Sequence, residues 1–155
     1  MQPMFKWLSV SAIVIALDLY TKHLIQQSFE YAEHLPLTSF FDLVRYHNEG
    51  AAFSFLAAAG GWQRVMFSAI ALVAAIVIVY LLRKSQQQKL YCFALALILG
   101  GALGNLYDRI TLGYVIDFLY FHYQTWYWPA FNVADSAISC GVALLLLDSF
   151  KKPAK

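Results

Sequence analysis

Charge is what this chain has least of. Only 13% of its 155 residues are Asp, Glu, Lys or Arg, against 61% apolar, which excludes an ordinary soluble domain. Cysteine is nearly absent too: Cys92 and Cys140 stand alone inside apolar runs, with no CxxC pair, and read as inert buried thiols. The four histidines, His23, His34, His47 and His122, lack metal-ligand spacing and read as surface or interfacial residues, so no metal or other cofactor is expected. The net charge of +2 comes from basic residues flanking apolar segments, where they meet acidic lipid headgroups; nucleic acid is not an expected partner. No internal repeat is visible.

Long apolar runs fill the space that charge leaves. A membrane-spanning helix needs roughly 20 apolar residues, and four segments qualify, at about 7–25, 65–82, 90–106 and 132–150. The second carries no charge between Arg64 and Arg83, and a buried helix of a soluble protein is rarely apolar on every face for that length. Four spans with short connections imply one integral membrane domain over residues 1–155. An even number of spans puts both termini and the second-to-third loop on one side, with Lys6, Arg83, Lys84, Lys89, Lys151, Lys152 and Lys155. The other side has Lys22, Arg45, Arg64 and Arg109, so both termini are expected in the cytoplasm. The first segment has the basic start of a secretory leader, but Asp18 and Lys22 interrupt its apolar run and no small-residue cleavage site follows closely, so it reads as a retained helix.

The two long connections, about 26–61 and 107–131, then face outward. In the first, the β-branched and aromatic stretch from Phe40 to Tyr46 predicts a strand, and Asn48-Glu49-Gly50 predicts a turn. Ala57 to Trp62 leads back towards the bilayer, with Trp62 as an interfacial anchor. In the second, a break at Gly113 precedes strand-like Tyr114 to Tyr123. Trp126, Tyr127 and Trp128 follow at headgroup level, and Pro129 closes the loop. The expected architecture is an α-helical membrane protein of four spans with a small sheet on the membrane surface.

The polar residues left at the edges of these spans are candidates for chemistry, because burying charge near lipid is costly. Asp117 sits among apolar neighbours with no adjacent base, and pairing with Arg109 is one way to satisfy it. Asn132 and Asp135 open the fourth span, where an N-cap and an acid in the first turn are ordinary features. Taken together the two aspartates say more. The loop between them leaves and re-enters the membrane surface and can close on itself. Two adjacent carboxyls cannot both ionise easily, so the pair supplies a base to activate water and an acid to protonate a leaving amine. Asp135 feels the helix N-terminus, which favours its charged form and makes Asp117 the more frequent holder of the proton, although coupled acids titrate as a pair. Asn105 and Arg109 share a face of the third span, Asp18 and Lys22 have ion-pair spacing on the first, and Gly100, Gly101 and Gly104 fit either close helix packing or a substrate groove.

Five motifs in order carry a resemblance: Asp18-Leu19-Tyr20-Thr21-Lys22, Asn48-Glu49-Gly50-Ala51-Ala52-Phe53, Gly100 to Arg109, Val115-Ile116-Asp117-Phe118 and Phe131-Asn132-Val133-Ala134-Asp135-Ser136. Over essentially its whole length the chain resembles the bacterial lipoprotein signal peptidases. The resemblance implies a metal-independent aspartic endopeptidase of the bacterial cytoplasmic (inner) membrane, its active site at the outer face. The implied substrate is a prolipoprotein with a diacylglyceryl cysteine, cut just before that cysteine, with membrane lipids as surroundings. The catalytic pair falls on Asp117 and Asp135. Supporting or substrate-binding roles fall on Asp18, Lys22, Asn48, Gly50, Asn105, Arg109 and Asn132. A small extracytoplasmic β-sheet cradle and a short surface helix are also implied. Two other classes remain open from the residues themselves. An ion or proton transporter component would want its acids near mid-membrane, and a non-enzymatic assembly subunit would use the same clusters as caps and packing motifs.

Overall fold

The structure is a computed structural model that describes residues 2–50 and 61–151. Its elements run α1 (Gln2–Ser28), β1 (His34–Pro36), β2 (Phe41–Asn48), α2 (Trp62–Lys84), α3 (Lys89–Thr111), β3 (Val115–Tyr123), β4 (Trp126–Tyr127) and α4 (Val133–Lys151). All four helices are long and apolar enough to cross a membrane. α1, α2 and α3 extend past both ends of the apolar runs that announced them, and α4 keeps the expected length, shifted by one residue.

One helix is central. The apolar window of α3 is 61% buried against 22–28% for the others, and α3 packs on α1, α2 and α4 alike. Its glycines make this contact close. A Cβ on Gly100 would meet Val14 and the Ser11 carbonyl of α1, and one on Gly101 would collide with the Ala134 carbonyl of α4. The glycine pattern therefore serves helix packing and does not line a substrate groove. At the end of the bundle away from the sheet, Trp7, Ile78, Leu82, Cys92, Leu95 and Leu99 form an apolar cluster. Exposed Leu, Ile and Val side chains along α2 and α4, such as Val73, Ile76 and Leu146, face outward as a lipid-bathed surface requires.

The sheet caps the other end of the bundle. Its strands are antiparallel in the order β1-β2-β3-β4, with Tyr46 opposite Asp117 and Asn48 opposite Val115. The stretches read as strands in the sequence lie in β2 and β3, and β1 and β4 extend the sheet on either side. Two anchors fix it to the helices. Arg45 donates to the Phe29 carbonyl at 2.7 Å at the end of α1, and Ile25 packs with Ile116 and Phe118. Gly113, at φ 91°, ends α3 in the left-handed conformation that suits glycine and turns the chain into β3.

Three expectations are revised or left aside. Cys140 is exposed on α4 and not buried; only Cys92 is enclosed, with its Sγ 3.1 Å from the Ser85 carbonyl. No short surface helix is found among the described residues. The Ala51-Ala52-Phe53 part of the second motif and the return segment from Ala57 to Gly60 lie outside the described residues.

Candidate active site

Asp117 and Asp135 reach the same end of the bundle by different routes, and the segment between them explains how. Phe131 bridges to Leu119: the Phe118 and Leu119 amides donate to its carbonyl at 3.0 and 2.9 Å, and its own amide donates to Leu119 at 3.1 Å. This clamp closes the β3–α4 connection on itself and sets Asn132, the next residue, against Asp117. Asn132 Nδ2 donates to Asp117 Oδ1 at 2.7 Å, and Asn132 Oδ1 accepts the Asp135 amide at 2.9 Å. The asparagine is therefore both a helix cap and a carboxyl ligand.

Two further asparagines complete the cradle. Asn48, at the end of β2, donates to Asp117 Oδ2 at 2.8 Å, while its Oδ1 accepts the Gly50 amide at 2.9 Å and shapes the expected turn. Asn105 of α3 donates to Asp135 Oδ1 at 2.8 Å, and its Oδ1 accepts from Asn132 at 3.2 Å and from Lys22 at 2.9 Å. Both aspartates are buried, at 1% and 4% exposure. Burial, and then the neighbouring charge of Asp135, push the Asp117 carboxyl up to about 8 despite the Asn48 and Asn132 donors, so it carries a proton at neutral pH. Asp135 lies in the first turn of α4, where the helix N-terminus favours an anion. Its Oδ2 has no partner among the described residues.

Behind the pair lies a charged knot centred on α1. Lys22, 2% exposed, donates to Asp18 at 2.7 Å and to Asn105 at 2.9 Å and forms an ion pair with Asp108 at 2.9 Å. The Asp18–Lys22 ion pair is thus formed, and it does more than stabilise α1. Asp18 Oδ1 accepts the Ala134 amide at 2.8 Å and caps α4 from another helix. Gly104 makes this approach feasible, since a Cβ there would stand 2.6 Å from Asp18 Oδ2. Asp108, which also accepts the Ile116 amide at 3.3 Å, was given no role from the sequence. Its position three residues after Asn105, on the same helical face, was the available signal.

Arg109 does not pair with Asp117 among the ion pairs of the described residues. It donates to the Gly50 carbonyl at 2.8 Å and lies over the Phe67 ring at 5.6 Å. Gly50 thereby enters the site through its backbone. All nine residues singled out in the sequence meet in this one network. The histidines do not: His34 and His122 flank Asp42 on the sheet at 3.2 and 3.0 Å, and His47 stacks on Tyr114. Burial opposes the Asp42 charge, but the His122 and His34 contacts hold its carboxyl below the ordinary range.

A groove leads to Asp135. About 250 Å³ in volume, it runs between α2, α3 and α4, is walled by Phe67, Ile70, Ala71, Ala74, Ile98, Ala102 and Ile138, and ends on Asn105, Arg109 and Asp135. Apolar walls with a few convergent polar groups are the usual make-up of a substrate site.

Fold and site together define an integral membrane protein with paired carboxyls at one end of a four-helix bundle, reached by an apolar groove. A family model described as signal peptidase II matches residues 10–151, and the chain belongs to that family of bacterial membrane proteins. It is 58% identical over 146 residues to a lipoprotein signal peptidase of Paraburkholderia phytofirmans, covering 94% of this chain and 85% of the relative. Another lipoprotein signal peptidase, from Ralstonia nicotianae, is 55% identical over 94% of this chain and 84% of its own length. A third, from a Janthinobacterium species, is 51% identical over 98% and 92%. The fold is also similar to a bacterial membrane enzyme solved at 2.3 Å, with a TM-score of 0.83 and 27% identity, covering 97% of this chain and 93% of that one.

Proposed function

We propose that this protein cleaves the signal peptide from prolipoproteins whose cysteine already carries diacylglycerol, and that it does so as an aspartic endopeptidase through Asp117 and Asp135. One observation carries the reading: two buried carboxyls are held by three asparagines, two of them hydrogen-bonded to each other, and one of the carboxyls closes an apolar groove. The groove accommodates the apolar signal segment and the lipid of the cysteine, which brings the peptide bond before that cysteine to the pair. A transporter reading is disfavoured because the acids gather at one end of the bundle and not at mid-membrane.

The chemistry follows from the unequal environments of the two acids. Asp135, anionic, takes a proton from water as the water oxygen bonds to the scissile carbonyl carbon. Asp117 gives its proton to the carbonyl oxygen, forming a gem-diol. On collapse a gem-diol hydroxyl returns a proton to Asp117, Asp135 passes its proton to the amide nitrogen, and the C–N bond breaks. The products are a carboxyl on the signal peptide and a free amine on the lipidated cysteine, and both aspartates regain their starting states. No metal takes part in these steps. The reading also places both termini in the cytoplasm and the site at the outer face, with residues 1–155 acting as one domain, supported by the distribution of Lys and Arg.

The test is cleavage of a diacylglyceryl-modified prolipoprotein by the purified protein. Release of the signal peptide with the lipidated cysteine as the new N-terminus supports the reading. An inert wild-type protein, or cleavage elsewhere, overturns it.

A further inference from the structure

Beyond the five motifs, one buried side chain has both of its polar atoms without a hydrogen-bond partner among the described residues. Gln63, in the first turn of α2, is 0% exposed, yet neither its Nε2 nor its Oε1 has a hydrogen-bond partner among the described residues. A buried carboxamide with no partner costs about 1–3 kcal/mol, so its retention needs a reason. Gln63 lines a second cavity, about 280 Å³, with Glu49, Arg64 and Tyr114 on its walls and Gly61 and Gly113 at its edge. These residues stand at or just beyond helix ends, where the first groove stands between helices.

Arg109 lines the first space and holds a residue adjacent in sequence to the lining of the second. Its Nη2 holds the Gly50 carbonyl beside Glu49, and its guanidinium covers Phe67, one helical turn after Gln63. Arg109 Nε also lacks a partner among the described residues, as does Asp135 Oδ2. Asp135 and Arg109 line the first space and Gln63 the second, and each carries a buried atom with no hydrogen-bond partner among the described residues. Other unpaired atoms, on Trp7, Arg45 and His47, lie outside these two spaces.

An extended peptide supplies what these unpaired atoms lack, because each residue offers one N–H and one C=O. A carboxamide, with one acceptor and one paired donor group, is suited to a peptide unit of any sequence. We infer that Gln63 is a substrate-positioning residue that hydrogen-bonds the backbone of the polypeptide on the mature side of the cleaved bond, just after the lipidated cysteine. The apolar groove suits the signal segment and the acyl chains, and the polar cavity suits the segment that leaves the membrane. This assignment rests on the function proposed above and adds a specificity element to it.

The experiment compares two lipidated substrates, one ending as an amide at the cysteine and one continuing for six residues, with wild-type protein and Gln63→Leu. The wild type is expected to favour the longer substrate in kcat/KM, and Gln63→Leu to lose that preference by about tenfold while cleaving the short one normally. Replacing single backbone amides after the cysteine by esters, in the wild type alone, is expected to reproduce the loss at one position without any mutation of the protein. Equal loss on both substrates, no loss on either, or indifference to every ester overturns the role of Gln63. Failure of the wild type to cleave either substrate overturns instead the proposed function.

Discussion

Asn105 and Asn132 are hydrogen-bonded to each other at 3.2 Å, and each holds one of the two aspartates. The amides therefore fix the spacing of the carboxyls without adding charge between them. In a buried site this matters, since a cationic partner would hold both acids ionised and leave neither able to donate a proton.

Asp117→Asn and Asp135→Asn are each expected to insert and fold but to lose about four or more orders of magnitude in kcat, because no other group takes over the acid or the base role. Single-turnover cleavage of the lipidated substrate measures this. Turnover within tenfold of wild type by either variant would remove that residue from the chemistry.

Asn132→Asp separates capping from carboxyl binding. The new side chain can still accept the Asp135 amide, but it offers no N–H to Asp117 and adds a negative charge beside it. Helix content should persist while kcat falls about a hundredfold or more. Asn132→Ala should lose both roles, with about 1 kcal/mol of stability gone from the missing cap, read from thermal unfolding in detergent.

The charged knot sets a stability expectation. Removing Lys22 as Lys22→Met leaves Asp18 and Asp108 buried without their cation, a change that costs about 3–5 kcal/mol. Asp108→Asn keeps the Asp18 ion pair and should cost less. Equal melting temperatures for wild type and Lys22→Met would show that the ion pairs carry no stability.

The raised Asp117 carboxyl sets the pH dependence. Its folded value of about 8 lies above the ordinary 3.8, so between these the folded state holds a proton that the unfolded chain has released. Its stabilising contribution is full below about 3.8, declines as pH rises across this window and is lost above about 8. Activity should likewise fall as pH rises through about 8, since the donor is then ionised. Asp117→Asn should flatten the stability trend in a thermal-shift titration; an unchanged slope would contradict the shift.

Chelation is the last check. Treatment with EDTA is expected to leave cleavage intact, because water activation is assigned to Asp135. Loss of activity restored by added zinc would replace the two-carboxyl mechanism with a metal-assisted one.

Much of this was legible along the chain. The spans announced themselves because lipid tolerates no exposed backbone, so a long uncharged run has few alternatives to a helix. Strands β2 and β3 showed through their β-branched and aromatic content, and Asp117 stood out because an acid among Val, Ile, Phe and Leu needs an explanation. Local sequence could not say that Asp18 caps α4, that Gly101 admits the Ala134 carbonyl, that Asp108 shares Lys22 or that Gln63 is buried without a hydrogen-bond partner among the described residues. Those facts involve residues dozens of positions apart. Periodicity and composition fix which stretches lie in lipid, because transfer free energy is a property of the segment itself. Which polar groups meet, and how their protons are shared, depends on distances of a few ångströms set only when α1, α3 and α4 pack and the sheet closes over their ends.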